Sequence, residues 1–241
     1  MPDPAGFLRH RDPDAVEEMD KPDCDLEKLQ RTYAQFPLIN AVVSGWRASY
    51  RHRIRPLLNS TTETTLLDVG CGGGDVARSL AKWAAADGLK LRITAIDPDE
   101  RAFAFASSQP PISGLSYRRA LSSELVAEGA AFDVVISNHI LHHLSPSQLG
   151  AVLADSEQLA GSLAVHSDIA RSPVAYALFG AGTLPFFPGS FIRRDGLTSI
   201  RRSYTSAELR SVVPPGWSVT SERPYRNVLL FTPVPDRPRR A

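Results

Sequence analysis

The sequence is poor in cysteine, nearly free of net charge and without a long uninterrupted apolar run. Two cysteines in 241 residues are too few for a disulfide scaffold. The formal net charge of +1 offers no basic field of the kind that holds a phosphate backbone, so we expect no nucleic-acid partner. The charge-free stretch 172–192 contains three prolines and three glycines that would interrupt a helix, so we expect no integral membrane segment.

Both ends of the chain are polar and rich in proline. Residues 1–23 lack apolar periodicity, which predicts a loose segment. No secretory leader is recognisable there, so we expect a cytoplasmic location. At the other end, prolines interrupt a short basic tail, which predicts a frayed end that contains Arg237, Arg239 and Arg240.

Regular secondary structure is predicted between these ends. Apolar residues at three- to four-residue spacing predict N-terminal helices within residues 24–60. Strand and helix patterns then alternate, which predicts right-handed crossovers and a mostly parallel sheet. The predicted strands are 65–69, 91–96, 115–118, 132–137 and 163–166, and the predicted helices are 76–86, 100–107 and 147–159. A capping-box pattern at 205–208 predicts a last helix, and strands at 217–221 and 226–231 predict an antiparallel edge.

A glycine-rich turn follows the first predicted strand. Residues 66–75 read LLDVGCGGGD, with glycines at alternate positions: Gly70, Gly72 and Gly74. Such a turn lets a ligand approach the backbone closely, and the helix after it adds free N–H donors. The dinucleotide fingerprint G-x-G-x-x-G, read from Gly70, would need a third glycine where Asp75 stands. Asp68 suits a ligand that carries an ammonium group better than one that carries a pyrophosphate.

On these residues the sequence closely resembles motif I of the class I S-adenosylmethionine-dependent methyltransferases. The resemblance covers residues 65–163 and the flanks by position only. It implies an α/β fold with a doubly wound, mostly parallel seven-stranded sheet (Rossmann-like), N-terminal helices and a lid insert before the last helix. It also implies S-adenosyl-L-methionine as the methyl donor, held in part by Asp68, Gly70, Cys71, Gly72 and Gly74.

The resemblance assigns two further donor contacts after the second strand. The carboxylate of Asp97 can accept hydrogen bonds from both ribose hydroxyls, and Pro98 would pack against the adenine. The third strand departs from the family pattern, because residues 117–121 contain no acid for the adenine amino group. Ser122, Ser123 or a backbone carbonyl would take that place.

Three histidines cluster after the fourth strand. Residues 132–144, FDVVISNHILHHL, look like motif IV of the family, and Asn138 is expected to contact the donor. A histidine near its ordinary pKa can remove a proton from a phenol at neutral pH, so His142, then His139 and then His143 are candidates for a general base. Two other interpretations remain open. The histidines would cap or pack this segment, or they would bind a metal, for which no carboxylate partner follows at ligand spacing. We therefore expect no metal.

The region after the fifth strand is expected to shape the acceptor site. His166 and Asp168 would reach the carboxyl-end rim, where an ordinary strand-end role is equally open. Residues 171–204 are expected to form a lid over an apolar acceptor with a polar or anionic end. The alternative is that this segment covers the core or the interface of a possible homodimer. The aromatic residues of the lid are Tyr176, Phe179, Phe186, Phe187 and Phe191.

These features predict one methyltransferase domain over residues 24–241. Residues 64–170 would form its cofactor-binding core, and residues 205–232 its last helix and edge strands. The expected reaction is methyl transfer to a small, apolar, phenolic or quinol-like metabolite of secondary or lipid metabolism. O-methylation is favoured over C-methylation because a base beside a hydroxyl is the simplest use of the histidines. The competing interpretations are a nicotinamide-dependent oxidoreductase and a non-catalytic S-adenosylmethionine-binding protein.

Overall fold

The computed structural model describes residues 6–184 and 189–233. Its seven strands form one sheet: β1 (Thr64–Val69), β2 (Leu91–Ile96), β3 (Leu115–Arg118), β4 (Phe132–Asn138), β5 (Ala160–Ile169), β6 (Trp217–Glu222) and β7 (Arg226–Phe231). The strand order is β3-β2-β1-β4-β5-β7-β6. The first five strands pair in parallel, and β7 is antiparallel to both of its neighbours. The predicted doubly wound, mostly parallel seven-stranded sheet with an antiparallel edge is confirmed.

Helices cover both faces of this sheet and precede it in the chain. They are α1 (Leu26–Val43), α2 (Trp46–Ser49), α3 (Asp75–Ala86), α4 (Glu100–Ser108), α5 (Ser122–Ala127), α6 (Pro146–Leu159), α7 (Pro173–Gly182), α8 (Ile192–Arg202) and α9 (Ser206–Val212). After α2 the chain continues through a π-turn and a 3₁₀ turn, Tyr50–Ile54 and Arg55–Leu57. Within the described part of the chain, no helix is long and apolar enough to cross a membrane.

The core lies on both faces of the sheet. In β1, Leu66 and Leu67 are both fully buried, yet they belong to apolar clusters on opposite faces. Such two-sided burial produces the continuous apolar runs from which the strands were predicted. Because both faces are covered, the carboxyl ends of the parallel strands are the natural place for a ligand.

The helix ends follow local side-chain chemistry. The predicted capping box before α9 is present: the Thr205 hydroxyl accepts the N–H of Glu208, and the Glu208 carboxylate accepts the N–H of Thr205. Ser145 and Gln148 cap α6 in the same way. In contrast, α5 was not predicted, since its six residues are too few to show helical periodicity.

The expectation of a loose N-terminal segment is wrong for the residues that the structure describes. Residues 6–23, which we call the N-terminal segment, contain two 3₁₀ turns and bury Leu8 and Glu17. Arg11 donates hydrogen bonds from this segment to the carbonyl oxygens of His142 and Leu144. The contacts are mainly polar and fixed by distant partners, so they leave no apolar pattern in the sequence.

The region expected to be a lid is partly described. It folds into α7 and α8, and Phe191 is buried between α8 and α1. The predicted lid residues Phe186 and Phe187 lie outside the described residues, as do residues 1–5 and the C-terminal arginines.

Candidate functional site

A cavity of about 560 Å³, the main cavity, opens at the carboxyl ends of β1, β2 and β4. Its walls come from parts of the chain that are far apart in sequence. They include the N-terminal segment, α1, the loops after the three strands, and α8. The predicted site residues that line it are Asp68, Gly70, Cys71, Gly72, Asp97, Pro98, Asn138, His139, His142 and His143.

The glycine loop, residues 70–74, forms one wall of this cavity. Gly70 has φ +67°, and a Cβ there would lie 2.6 Å from Cγ2 of Ile140. Gly74 does not line the cavity, although the family resemblance implied a donor contact for it. A Cβ on Gly74 would lie 2.5 Å from the hydroxyl of Tyr117, so this glycine permits close packing of the loop instead.

Three carboxylates surround the loop side of the cavity. Asp68 is 1% exposed, and its Oδ2 has no hydrogen-bond partner among the described residues. Burial, together with the charges of Asp75 and Asp97, raises the pKa of Asp68 well above its ordinary value. Burial also raises the pKa values of Asp75 and Asp97. This half of the cavity is therefore suited to a ligand that brings positive charge.

The other predicted donor contacts have partners within the protein. Asn138 Oδ1 accepts a hydrogen bond from the indole N–H of Trp46 at 2.9 Å. Ser122 lines the cavity, but its hydroxyl donates to Asp155 at 2.6 Å. Ser123 does not line the cavity. Neither Ser122 nor Ser123 therefore identifies the contact for the adenine.

The three histidines after β4 occupy two different environments. His139 has a positive φ of 57°, which ends the strand and turns the chain before the 3₁₀ turn Leu141–His143. His142 and His143 lie side by side, with ring centroids 4.2 Å apart. A positive φ at a residue other than glycine is strained, and such strain is typical of functional sites.

His142 is fully buried between two carboxylates. Its Nδ1 lies 2.7 Å from Oδ1 of Asp168, and its Nε2 lies 3.3 Å from Oε1 of Glu17. Burial alone would lower the pKa of His142, but the two carboxylates raise it to about 10. A protonated imidazole has no free lone pair, so the preference for His142 as the base does not fit this arrangement.

His139, unlike His142, has a neutral ring with an unpaired nitrogen. Burial lowers the pKa of His139 to about 4, so the ring is neutral at neutral pH. Its Nε2 has no hydrogen-bond partner among the described residues, while its backbone N–H donates to the carbonyl oxygen of Ser167 at 2.9 Å. His139 also lines the main cavity.

His166 does not reach the rim, contrary to one interpretation of the sequence. It is fully buried in β5, with Nδ1 2.6 Å from the hydroxyl of Ser137 and its ring 5.2 Å from that of Trp217. Burial lowers the pKa of His166 to about 3. Asp168 contacts the ring of His142 and does not line the cavity itself.

Several wall residues could not be identified from the sequence. Glu17 and Asp20 come from the N-terminal segment, Asn40 from α1, and Asp195 and Arg202 from α8. Glu17 is 3% exposed and accepts a hydrogen bond from the hydroxyl of Ser199 at 2.8 Å. Their only signal in the sequence is a charged or polar side chain, which is common on any surface.

A second cavity of about 420 Å³, the side cavity, adjoins the main one. The wall residues common to both are Ile39, Val43, Ile169, Phe179 and Gly196. The rest of its wall includes apolar side chains of α1 and α7, among them Leu38, Val42 and Leu178. The side cavity, which we also call the apolar arm, thus shares walls with the main cavity.

Comparisons with known sequences match the middle of the chain. A family model described as a methyltransferase domain matches residues 66–160. The chain is 38% identical over 84 residues to a ubiquinone biosynthesis O-methyltransferase of Caulobacter vibrioides, covering 34% of this chain and 31% of that protein. A protein of the same name from Roseobacter denitrificans is 34% identical over 121 residues, covering 48% and 46%. The chain therefore aligns with less than half of the length of these relatives.

Solved structures share the fold. A plantazolicin methyltransferase in complex with S-adenosylhomocysteine has a TM-score of 0.62 at 13% identity, covering 90% of this chain and 93% of that one. Human N-acetylserotonin methyltransferase has a TM-score of 0.59 at 11% identity, covering 87% and 56%. At these identities the likeness concerns the fold alone. Residues 66–160 thus match a methyltransferase domain, and the described chain has the fold of S-adenosylmethionine-dependent methyltransferases.

Proposed function

We propose that this protein transfers a methyl group from S-adenosyl-L-methionine to a hydroxyl of a small, apolar, phenolic or quinol-like metabolite. The observation that carries the proposal is a pair of cavities that share walls. The carboxylate-lined loop and the unpaired His139 border the main cavity, and the apolar arm adjoins it. The names of the matched relatives, which are O-methyltransferases of ubiquinone biosynthesis, support this acceptor class.

The donor would bind against the glycine loop. S-adenosylmethionine, when bound, supplies an electrophilic methyl group on a positively charged sulfur and also carries an ammonium group. The unpartnered carboxylate oxygen of Asp68 and the raised pKa values of Asp75 and Asp97 favour such a cationic ligand. The same carboxylates disfavour the pyrophosphate of a nicotinamide cofactor, which is negative.

The acceptor would enter from the side of α1 and α7. Its ring would lie in the main cavity near His139, and an apolar substituent would extend into the side cavity. Arg202 lines the main cavity and provides a cationic group for a polar or anionic end of the acceptor. Burial excludes water from this pocket and strengthens the few polar contacts inside it.

The chemistry would depend mainly on position. Holding an acceptor oxygen in line with the methyl group replaces a bimolecular encounter by a pre-oriented one. His139 Nε2 would accept the hydroxyl proton as the oxygen attacks. His142 stays a positioning residue in this scheme, since its ring is held between Asp168 and Glu17.

The proposal is tested with the full chain, methyl-labelled S-adenosylmethionine and a panel of apolar phenols, catechols and quinols. We expect labelled ether products from this panel and saturable binding of S-adenosylhomocysteine. His139→Gln should reduce turnover by about 100-fold, the usual scale for loss of a general base, while S-adenosylhomocysteine still binds. Binding of a nicotinamide cofactor without binding of S-adenosylhomocysteine would establish the oxidoreductase alternative. Donor binding without turnover of any phenol would favour a non-catalytic role.

Some expectations remain predictions. They concern the cytoplasmic location, the absence of a nucleic-acid partner, the possible homodimer, and the division of the chain into a core, a lid and an edge. Turnover of a phenolic acceptor would not decide any of them.

A further inference from the structure

A carboxylate and two imidazoles converge where the N-terminal segment meets the turn after β4. Glu17 Oε1 lies 3.3 Å from His142 Nε2 and 3.8 Å from His143 Nε2. These three atoms lie within 4.8 Å of one another. Two ligand atoms that each lie about 2.1 Å from a tetrahedrally coordinated metal ion are separated from each other by a similar distance. All three residues line the main cavity.

Each of these groups is oriented by a further polar partner. His142 Nδ1 lies 2.7 Å from Asp168 Oδ1, and His143 Nδ1 lies 3.1 Å from Asp20 Oδ2. Both rings therefore direct Nε2 toward the same carboxylate. Metal-binding histidines in proteins commonly have this arrangement, with the second ring nitrogen on a carboxylate.

The carboxylate is held as well. The hydroxyl of Ser199 donates to Glu17 Oε1 at 2.8 Å, and Glu17 is 3% exposed. A ligating carboxylate is usually hydrogen-bonded in this way, which fixes its orientation.

The ring nitrogen of His142 that faces Glu17 is weakly paired. His142 is 1% exposed, and its Nε2 makes only the 3.3 Å contact with Glu17 Oε1 and no well-formed hydrogen bond among the described residues. Buried ring nitrogens normally make well-formed hydrogen bonds, so this nitrogen is available to a metal ion. The carboxylates of Asp20 and Asp168 add negative charge beside the cluster. Arg202 offsets the charge of Asp20 only from 3.4 Å, the distance between its guanidinium nitrogen and Asp20 Oδ2.

We propose that Glu17, His142 and His143 bind a divalent transition-metal ion of the zinc type. Two imidazoles and one carboxylate suit Zn²⁺, and three protein ligands leave a position open toward the cavity. The inference rests on the proposed function, because the open position would take the acceptor hydroxyl that is methylated. Binding of the ion displaces the proton of His142 to solvent, so the imidazole becomes a neutral ligand.

The sequence alone did not indicate this site. No carboxylate follows the histidines at ligand spacing, and Glu17 reaches them from more than a hundred residues upstream. The expectation of no metal was based on that missing partner.

The test titrates Zn²⁺ by calorimetry into the full chain after it has been stripped with a chelator. We expect one equivalent to bind. Glu17→Gln and His143→Gln should each weaken binding by at least about tenfold, since loss of an outer partner alone costs that much. The matched controls Glu18→Gln and His52→Gln should bind Zn²⁺ like the unaltered chain, since neither residue belongs to the cluster.

The outcomes separate the alternatives. If Zn²⁺ does not saturate near one equivalent, or binds Glu17→Gln and Glu18→Gln equally, the cluster is held by a proton only and the proposal is overturned. Circular dichroism verifies that each variant is folded, and His143, which is partly exposed, provides a second variant if Glu17→Gln is unfolded. S-adenosylhomocysteine titrated into the same samples reports the donor site separately, so loss of the metal proposal leaves the methyltransferase proposal standing.

Discussion

Asp97 Oδ2 accepts the backbone N–H of Gly72 at 2.8 Å, which ties the end of β2 to the glycine loop. The other oxygen of Asp97 accepts the N–H of Asp99 at 2.9 Å. One carboxylate thus fixes the shape of the loop and lines the cavity in which the donor ribose is expected. A substitution of Asp97 should therefore affect the donor site both through the shape of the loop and through the expected ribose contact.

We predict that Asp97→Ala weakens S-adenosylhomocysteine binding by about 10- to 100-fold. The basis is the net loss of one charge-assisted hydrogen bond, about 1.5–3 kcal/mol. Isothermal titration calorimetry measures the effect. Glu100→Gln is the matched control, because Glu100 is exposed, pairs with Arg119 and does not line the cavity. Equal affinities for both variants would remove Asp97 from the donor site.

The two loop glycines Gly70 and Gly72 should differ in their tolerance of alanine. Both have positive φ, which costs a residue with a Cβ about 1–2 kcal/mol. Only at Gly70 would the Cβ also collide with a neighbour, Cγ2 of Ile140, whereas nothing lies within 4 Å at Gly72. We predict that Gly70→Ala lowers the free energy of unfolding by about 1–3 kcal/mol more than Gly72→Ala, the usual cost of overpacking.

Urea unfolding checks this difference. The double variant Gly70→Ala/Ile140→Ala should be more stable than the sum of its single variants implies, because shortening Ile140 removes the collision. Additive effects in this cycle, or equal losses for the two glycine variants, would contradict the steric explanation.

His166 should make the folded protein sensitive to acid. Burial lowers its folded pKa to about 3, against about 6.5 in the unfolded chain. Between these values the unfolded state binds more protons, so the free energy of unfolding falls as the pH falls. From pH 7 to pH 5 this one group should cost about 2 kcal/mol of stability.

The comparison of His166→Gln with the unaltered chain isolates this effect. We expect the variant to lose about 2 kcal/mol less than the unaltered chain over the same interval in urea unfolding, since all other groups titrate in both. His52→Gln, which removes an exposed histidine, is the matched control. Parallel profiles for His166→Gln and the unaltered chain would mean that His166 is not held neutral.

The contrast between β1 and the N-terminal segment explains how much the sequence could predict. The apolar run of β1 is buried on both faces and leads into glycines that the turn requires. The strand, the loop and the end of the sheet where a ligand is expected could therefore all be predicted from one stretch of sequence. Glu17 and Arg11 are held by partners more than a hundred residues away, and a charged residue carries no local sign of such a partner.

The histidines show a second limit. Their spacing would place them on one face of a helix, but the positive φ of His139 separates it from His142 and His143. The chemistry of each ring then follows from burial and from which carboxylate faces it. Those properties depend on tertiary packing, so the sequence could group the histidines at the end of β4 but could not distinguish their environments.

The N-terminal segment should depend on Arg11. Its guanidinium donates to the carbonyl oxygens of His142 and Leu144 at 2.9 and 3.1 Å and lies 3.9 Å from the ring centre of Tyr204. We predict that Arg11→Ala destabilises the fold by about 2 kcal/mol, within the range for hydrogen bonds to charged groups. Limited trypsin digestion should show faster cleavage after Lys21, while Arg9→Ala should leave the rate of cleavage after Lys21 unchanged. Equal cleavage rates would mean that other contacts hold the segment.

The apolar arm should select acceptors by the length of their substituent. Gly182 lines the side cavity, and its Cβ position has nothing within 4 Å, so a tryptophan there would project into free space. Gly182→Trp should raise KM for phenols with long alkyl chains by about tenfold or more, because several buried CH₂ groups at about 0.8 kcal/mol each would lose their site. Short phenols and S-adenosylhomocysteine should bind as before. Gly150→Trp is the matched control, since Gly150 is equally open but lies on α6 outside both cavities. An equal rise in KM for short and long acceptors would show that the side cavity does not hold the substituent.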